Sequence, residues 1–444
     1  MNHESLFTNL KFQISNFQFE SRFAFPASYL KVLPMFHRPA LTALLLLILA
    51  LPTLAADDDG FVPLFNGKSL DGWTQRGGMA KYAVETIEGV ATIVGTSVPN
   101  TPNSFLCTDK LYGDFILEYE FKVDPTLNSG VQIRSNSIPT YKGGVVHGYQ
   151  VEIDPDTVKN RMWTAGIYDE SRRGWLNDLT QNEPARKAFK PNAWNKIRVQ
   201  AIGDSIKTWL NDVPAADLVD SMTQTGFIAV QVHGVGKKVE PVQVMWRNLR
   251  IKDLGKHEWK PLWDGKTMTG WETMKGGEWR IVADEKEGNH ILGISPKSDP
   301  NHGMFITKEK HKDFTVRLKA TILKGNSGFY FRTERLGGGV NVAGFQAELD
   351  AEKDNGGLYE TNGRAWVVQP KPEDVKKWWK AGEWNEMTVS AHGTRVVVHV
   401  NGIKTAELMN DGKGRREGFL ALQMHGGQDM HVLFKDIEIL TPAK

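Results

Sequence analysis

Residues 149–154 read Tyr-Gln-Val-Glu-Ile-Asp, in which Val151 and Ile153 alternate with Gln150, Glu152 and Asp154. The segment "FQAELD" (345–350) repeats the pattern with Gln346, Glu348 and Asp350. Alternation at period two puts each polar trio on one face of a strand, although these residue types fit strands poorly. Carboxylates two residues apart on a strand lie about 6–7 Å apart by backbone rise. That spacing suits acid/base work on a glycosidic bond, or a hard cation held by carboxylate oxygens. The residues leave both open.

Two further segments carry polar residues at the same period. "SGVQIRS" sets Gln132 and Arg134 opposite Val131 and Ile133, and "IAVQVHG" sets Gln231 and His233 opposite Val230 and Val232. Their later counterparts are Tyr330 with Arg332, and Gln423 with His425. On strands of one sheet these groups form a polar bowl suited to a sugar, whose hydroxyl pairs match guanidinium and amide groups. His147 and Tyr149 precede the first trio, where the second copy has Ala343 and Phe345. Tyr168 and Tyr359 are either aromatic platforms for a sugar or edge-strand aromatics that pack in the core. Arg173 and Arg364 stand before Trp175 and Trp366, where each either clamps ligand or covers the indole.

The elements that position these residues occur twice. "FVPLFNGKSLDGW" (61–73) returns as "WKPLWDGKTMTGW" (259–271), and "AWNKIRVQAIGDSIKTWLND" (193–212) as "EWNEMTVSAHGTRVVVHVNG" (383–402). "GFIAVQVHG" (226–234) returns as "GFLALQMHG" (418–426), and the order is collinear throughout. A period near two hundred residues means tandem domains, here 57–254 and 255–444. Each copy consists of alternating runs bounded by Gly, Asn and Asp, with hairpin turns expected at Asn211 and Asn401. One helix is expected in "PEDVKKWWK" (372–380). The fold class is all-β: two tandem jelly-roll β-sandwiches of the concanavalin A-like type.

Composition narrows the partners. The 54 basic and 52 acidic side chains nearly cancel, so bulk charge does not point to nucleic acid or an anionic membrane. The single cysteine, Cys107, excludes a disulfide framework and a cysteine zinc site, and reads as a buried apolar residue. Residues 1–56 read as a leader with a signal peptide: Arg38, an apolar run from Leu41 to Leu51, and small residues at Ala55 and Ala56. Met35 is an alternative start. The expected product is exported, periplasmic or extracellular, with no stable membrane span after cleavage. No phosphate-binding glycine loop, nucleophile elbow or histidine-rich zinc motif is present. No cofactor is demanded, though a divalent cation such as calcium is compatible with the paired acids.

The ordered set "FNGKSLDGW", "NSGVQIR", "GYQVEID" and "VQVHG…WRNLRIK" resembles the 3-keto-disaccharide hydrolase family over residues 60–254 and again over 259–442. The resemblance implies a small carbohydrate substrate, a glycoside already oxidised to a ketone at C3. It carries a candidate catalytic set onto Arg134, Glu152, Asp154 and His233, and onto Arg332, Glu348, Asp350 and His425. Gln132, His147, Tyr149, Gln150, Tyr168, Arg173 and Gln231 are the expected substrate contacts. Tyr330, Gln346, Tyr359, Arg364 and Gln423 are their partners in the second copy. A C3 ketone acidifies the C2 proton, so Glu152 as base would allow β-elimination, with His233 and Arg134 polarising the ketone. Direct hydrolysis by Glu152 and Asp154 is the variant, and a non-catalytic carbohydrate-binding protein the rival.

Overall fold

In the sandwich formed by the first copy, the front sheet runs, edge to edge, Gly174–Asn177, Ile167–Glu170, His147–Ile153, Ser129–Asn136, Phe227–Val232, Ser104–Thr108 and Trp73–Gly77. Neighbours in this sheet are antiparallel. A computed structural model describes residues 59–155, 161–336 and 342–442 of the chain. The expected leader, signal peptide and alternative start at Met35 lie outside the described residues. Among the described residues a back sheet of eight strands, centred on Phe115–Val123 and Gln243–Asp253, packs against the front one. The core between them is built by alternation: Leu117, Tyr119 and Phe121 from the back strand meet Val131, Ile133, Val151 and Ile153 from the front. The second copy repeats both sheets, with Val342–Asp350 and Asn326–Arg335 at the front and Phe314–Lys324 at the back. The architecture is two tandem β-sandwiches, as the repeat implied.

The expected hairpins form at Asn211 (φ 49°) and Asn401 (φ 50°), left-handed positions that asparagine tolerates. Each side chain also ties its turn to the sandwich: the Asn211 Oδ1 accepts from the Lys196 N–H at 2.9 Å, the Asn401 Oδ1 from the Glu386 N–H at 3.0 Å. The expected helix shrinks to Pro372–Val375, because Trp378 and Trp379 turn back onto the second core instead of extending it. A second short helix, Glu183–Ala188, goes beyond the sequence expectation; Asn182 caps it by accepting the Ala185 N–H at 3.2 Å. Cys107 is buried. No helix among the described residues is long and apolar enough to cross a membrane.

Candidate active site

The outward face of the front sheet brings the first polar trio to the floor of a cavity of about 630 Å³. Register explains how. Trp175 pairs with Tyr168, Tyr168 with Gln150, and Gln150 with Gln132, so four side chains cross the sheet in one row. The next row is Glu152, Gly130 and Gln231. Gly130 leaves a gap in it, and a Cβ there would stand 2.5 Å from the Gln150 Cγ. The bare glycine therefore lets the Gln150 amide lie across the floor and reach Glu152.

Glu152 is buried and held at both oxygens. Asn128 donates to Oε1 at 2.5 Å and Gln150 to Oε2 at 2.9 Å. Burial pushes the Glu152 carboxyl up to about 7, against the two amide donors that favour its charged form. Gln132 donates to the Gln150 Oε1 at 2.6 Å and fixes which way that amide points. Tyr168 and Trp175 make an edge-to-face pair at 5.2 Å on the wall. The His233 Nδ1 lies 2.9 Å from the Gly234 carbonyl oxygen, which can only accept. Nδ1 therefore carries a proton, which leaves Nε2 for the cavity.

Several cavity residues lie beyond the sequence reading. Arg161 binds Asp154 at 2.8 Å and lies 4.9 Å from the Trp163 ring and 5.8 Å from the Trp175 ring. Glu170, raised by burial against the opposing hydrogen bond from Ser171, joins the lining with Asn103 and Asn128. Glu170 is legible in the sequence, since it shares a face with Tyr168 two residues earlier. Arg161 sits in a loop with no periodic signal. Among the described residues no three His, Cys, Asp or Glu side chains gather closely enough to hold a metal ion.

Other expected residues lie elsewhere. Arg134 leaves the Gln132 face because the strand bulges after Ile133 and Arg134 adopts φ 46°. Its guanidinium is fully buried and donates to the Gly113 and Gly203 carbonyls at 2.7 and 2.6 Å and to Asp114 at 2.9 Å. Arg332 (φ 50°) repeats the turn and donates to the carbonyls of Lys312, Gly393 and Arg415. Neither arginine reaches its bowl. Tyr149 points into the core, as its odd place in the alternation requires, and its hydroxyl donates to Asp220. His147 is buried against Tyr141 and the Val145 carbonyl. Arg173 is held by Asp169 and Asp220, and Arg364 by Glu360 and Asp411, so both clamp loops rather than ligand. Gln231 is fully buried, and neither amide atom has a hydrogen-bond partner.

The second copy retains part of the site. Glu348 is pushed up to about 8 by burial, with Asp350 and Asp354 adding to the rise. Gln346 donates to it at 2.8 Å, and Asn326 touches both Glu348 and Asp350. Tyr359 packs on Trp366 at 5.3 Å, and the His425 Nδ1 lies 2.7 Å from the Gly426 carbonyl. Tyr330 replaces Gln132 and bonds Thr361, which occupies the place of Glu170. Gln423 donates to His302, whose ring stacks edge-on with His425 at 4.3 Å.

The floor makes a direct prediction. Gly130→Ala forces the Gln150 amide aside while the strand itself tolerates alanine. With Glu152 then held by Asn128 alone, turnover falls about 10–100-fold, the usual cost of an ångström-scale misplacement. An unchanged rate in a folded variant would show that Gln150 does not position Glu152.

A family model described as a 3-keto-alpha-glucoside-1,2-lyase-like domain matches residues 60–252 and again 258–440. No curated protein matches the chain. Among solved structures, a glycosyl hydrolase candidate from Parabacteroides distasonis is 21% identical over 44% of this chain and 94% of its own, with a TM-score of 0.31. The carbohydrate-binding module CBM66 from Bacillus subtilis is 21% identical over 38% and 95%, with a TM-score of 0.29. A Bacillus subtilis protein of unknown function with a galectin-like fold is 13% identical over 42% and 100%, with a TM-score of 0.30.

Proposed function

The chain belongs in both halves to the 3-keto-alpha-glucoside-1,2-lyase-like domain family and is a carbohydrate-active protein, and we propose that its first sandwich cleaves 3-keto-glucosides by elimination around Glu152. The observation that carries this reading is a buried carboxyl at about 7, held by two amides on the floor of a sugar-sized cavity. A base poised near the operating pH is what proton abstraction next to a ketone needs.

The Glu152 carboxylate takes the C2 proton, and the C–H electron pair moves into the C3 carbonyl as an enolate. Collapse of the enolate forms the C1–C2 double bond and breaks the C1–O bond. Arg161, at the cavity wall, supplies the positive charge for the enolate oxygen that Arg134 cannot. Glu170, raised by burial, is the acid that protonates the departing oxygen, with His233 beside it. Tyr168 and Trp175 receive an apolar sugar face. Addition of water at C1 with return of a proton to C2 then gives net hydrolysis. The lyase description of the family favours this route over direct displacement.

The test is incubation with a 3-keto-glucoside in heavy water. Either an unsaturated ketone accumulates, or the released 3-keto-glucose carries deuterium at C2; released sugar with protium at C2 would exclude elimination. The aromatic pair also favours a second reading, a binding-only module, for which saturable binding without turnover is the signature.

A pH effect follows from the amide donors. The Asn128 N–H favours charged Glu152, so Asn128→Ala moves the acid limb of the kcat/KM profile to higher pH, by about one pH unit for a lost amide bond. Activity falls most near pH 6 and recovers in alkaline buffer. A limb that stays in place would mean that Glu152 does not govern it.

A further inference from the structure

We propose that the second sandwich is a brace for the pocket of the first, with Arg173 as the positioning residue that joins them; this rests on the Glu152 cavity being the active site. The pocket wall is a hairpin, Ile167–Glu170 and Gly174–Asn177, at the free edge of the front sheet. An edge hairpin is held on one side only and is the part of a sheet most prone to local opening. Tyr168 and Glu170 face the cavity, and Asp169 between them faces inward, fully buried.

Asp169 accepts from Arg172 and from Arg173, each at 2.6 Å. Arg173 continues outward to Asp220 at 2.8 and 3.1 Å, and donates at 2.7 Å to the Gly402 carbonyl in the second sandwich. Asp220 in turn touches the hydroxyl of Tyr149, the residue before Gln150, and lies 3.8 Å from His399 of the second sandwich. One buried network thus runs from the second sandwich to residues flanking Tyr168, Glu170 and Gln150.

Three more contacts press the two sandwiches together. Arg395 donates to Asp217 at 2.7 Å, Thr315 donates to Asp204 at 2.7 Å, and His392 lies 3.9 Å from Asp204. The second copy provides the comparison. Its equivalent arginine, Arg364, binds Glu360 and Asp411 of its own sandwich, and is 31% exposed where Arg173 is 18%. The same clamp is braced in one copy and not in the other.

The experiment uses the full chain with His399→Asp or Arg395→Glu, which set a negative charge against Asp220 or Asp217 without touching the cavity. Hydrogen exchange is followed by mass spectrometry. The expected result is exchange about tenfold faster in 167–177, with KM raised about tenfold and kcat lowered with it, because the loosened wall carries both the sugar platform Tyr168 and the acid Glu170 while Glu152 stays in place. His399→Asn, neutral beside Asp220, keeps parental values. Arg395→Gln, which removes the Asp217 contact without adding a charge, serves if the charged variants do not fold. The brace is overturned if exchange rises at 395–402 but not at 167–177, or if neither segment responds. A parent chain that turns over nothing, with an exchange response as expected, would remove the assigned reaction and leave the brace standing.

Discussion

Glu152→Gln, made in a Glu348→Gln background so that the second site contributes nothing, lowers turnover of a 3-keto-glucoside about a thousandfold, within the usual share of a general base. The substitution keeps shape and removes only the proton acceptor. Binding of the substrate, read by calorimetry, persists because Gln150, Tyr168 and Trp175 remain. Parental turnover in the double variant would remove Glu152 from the mechanism.

Glu152→Gln on its own gains stability in a pH-dependent way. An ordinary glutamate titrates near 4.5, whereas folded Glu152 titrates at about 7. A carboxyl raised on folding contributes stability that is fully present below about pH 4.5 and lost as pH rises through about 7. Above that, the fold holds a desolvated charge at a cost on the order of 3 kcal/mol. The substituted amide carries no such charge, so Tm rises by several degrees at pH 8 and is unchanged at pH 4. Part of the gain is offset because one of the two amide donors must turn away from the new NH2. A base in the proposed role, held against its solvation, thus trades stability for activity.

Arg134→Met is expected to destabilise the first sandwich by about 3–5 kcal/mol while leaving kcat of the folded fraction near parental. The variant strips the guanidinium from the buried carbonyls of Gly113 and Gly203 and from Asp114, which keeps the Gly203 N–H and His257. Arg332→Met costs less, because its acidic partner Asp313 is half exposed and 3.5 Å away. Denaturation curves check the order of the two. A stable Arg134→Met protein without activity would return Arg134 to the catalytic set.

The two arginines also show where sequence reasoning stops. Period two holds while backbone dihedrals stay in the β region, and it correctly joins Gln150, Glu152 and Asp154 on one face. It fails at a left-handed residue in a bulge, where the side chain changes faces, and nothing in "VQIRS" marks the bulge. Tyr149 belongs to the core by the same alternation that places its neighbours, so its assignment to the bowl breaks the rule that built the bowl. Glu170 follows from Tyr168, which fixes its face. Arg161 and Asn103 lie outside regular alternation, so only tertiary structure brings them to the cavity. The tandem sandwiches, the Asn211 and Asn401 turns and the buried Cys107 are legible because each follows from local physics, most of it repeated twice.

The contact between Arg173 and the Gly402 carbonyl has a consequence for the order of the halves. A sequence repeat suggests that the copies are exchangeable modules, and a permuted gene encoding the second half before the first would keep every strand and both cores. It would have to rebuild that contact across a new junction, without the 253–260 linker that now joins the halves. The repeat is symmetric in composition and polar in arrangement, like a word whose syllables match but whose meaning depends on which is spoken first.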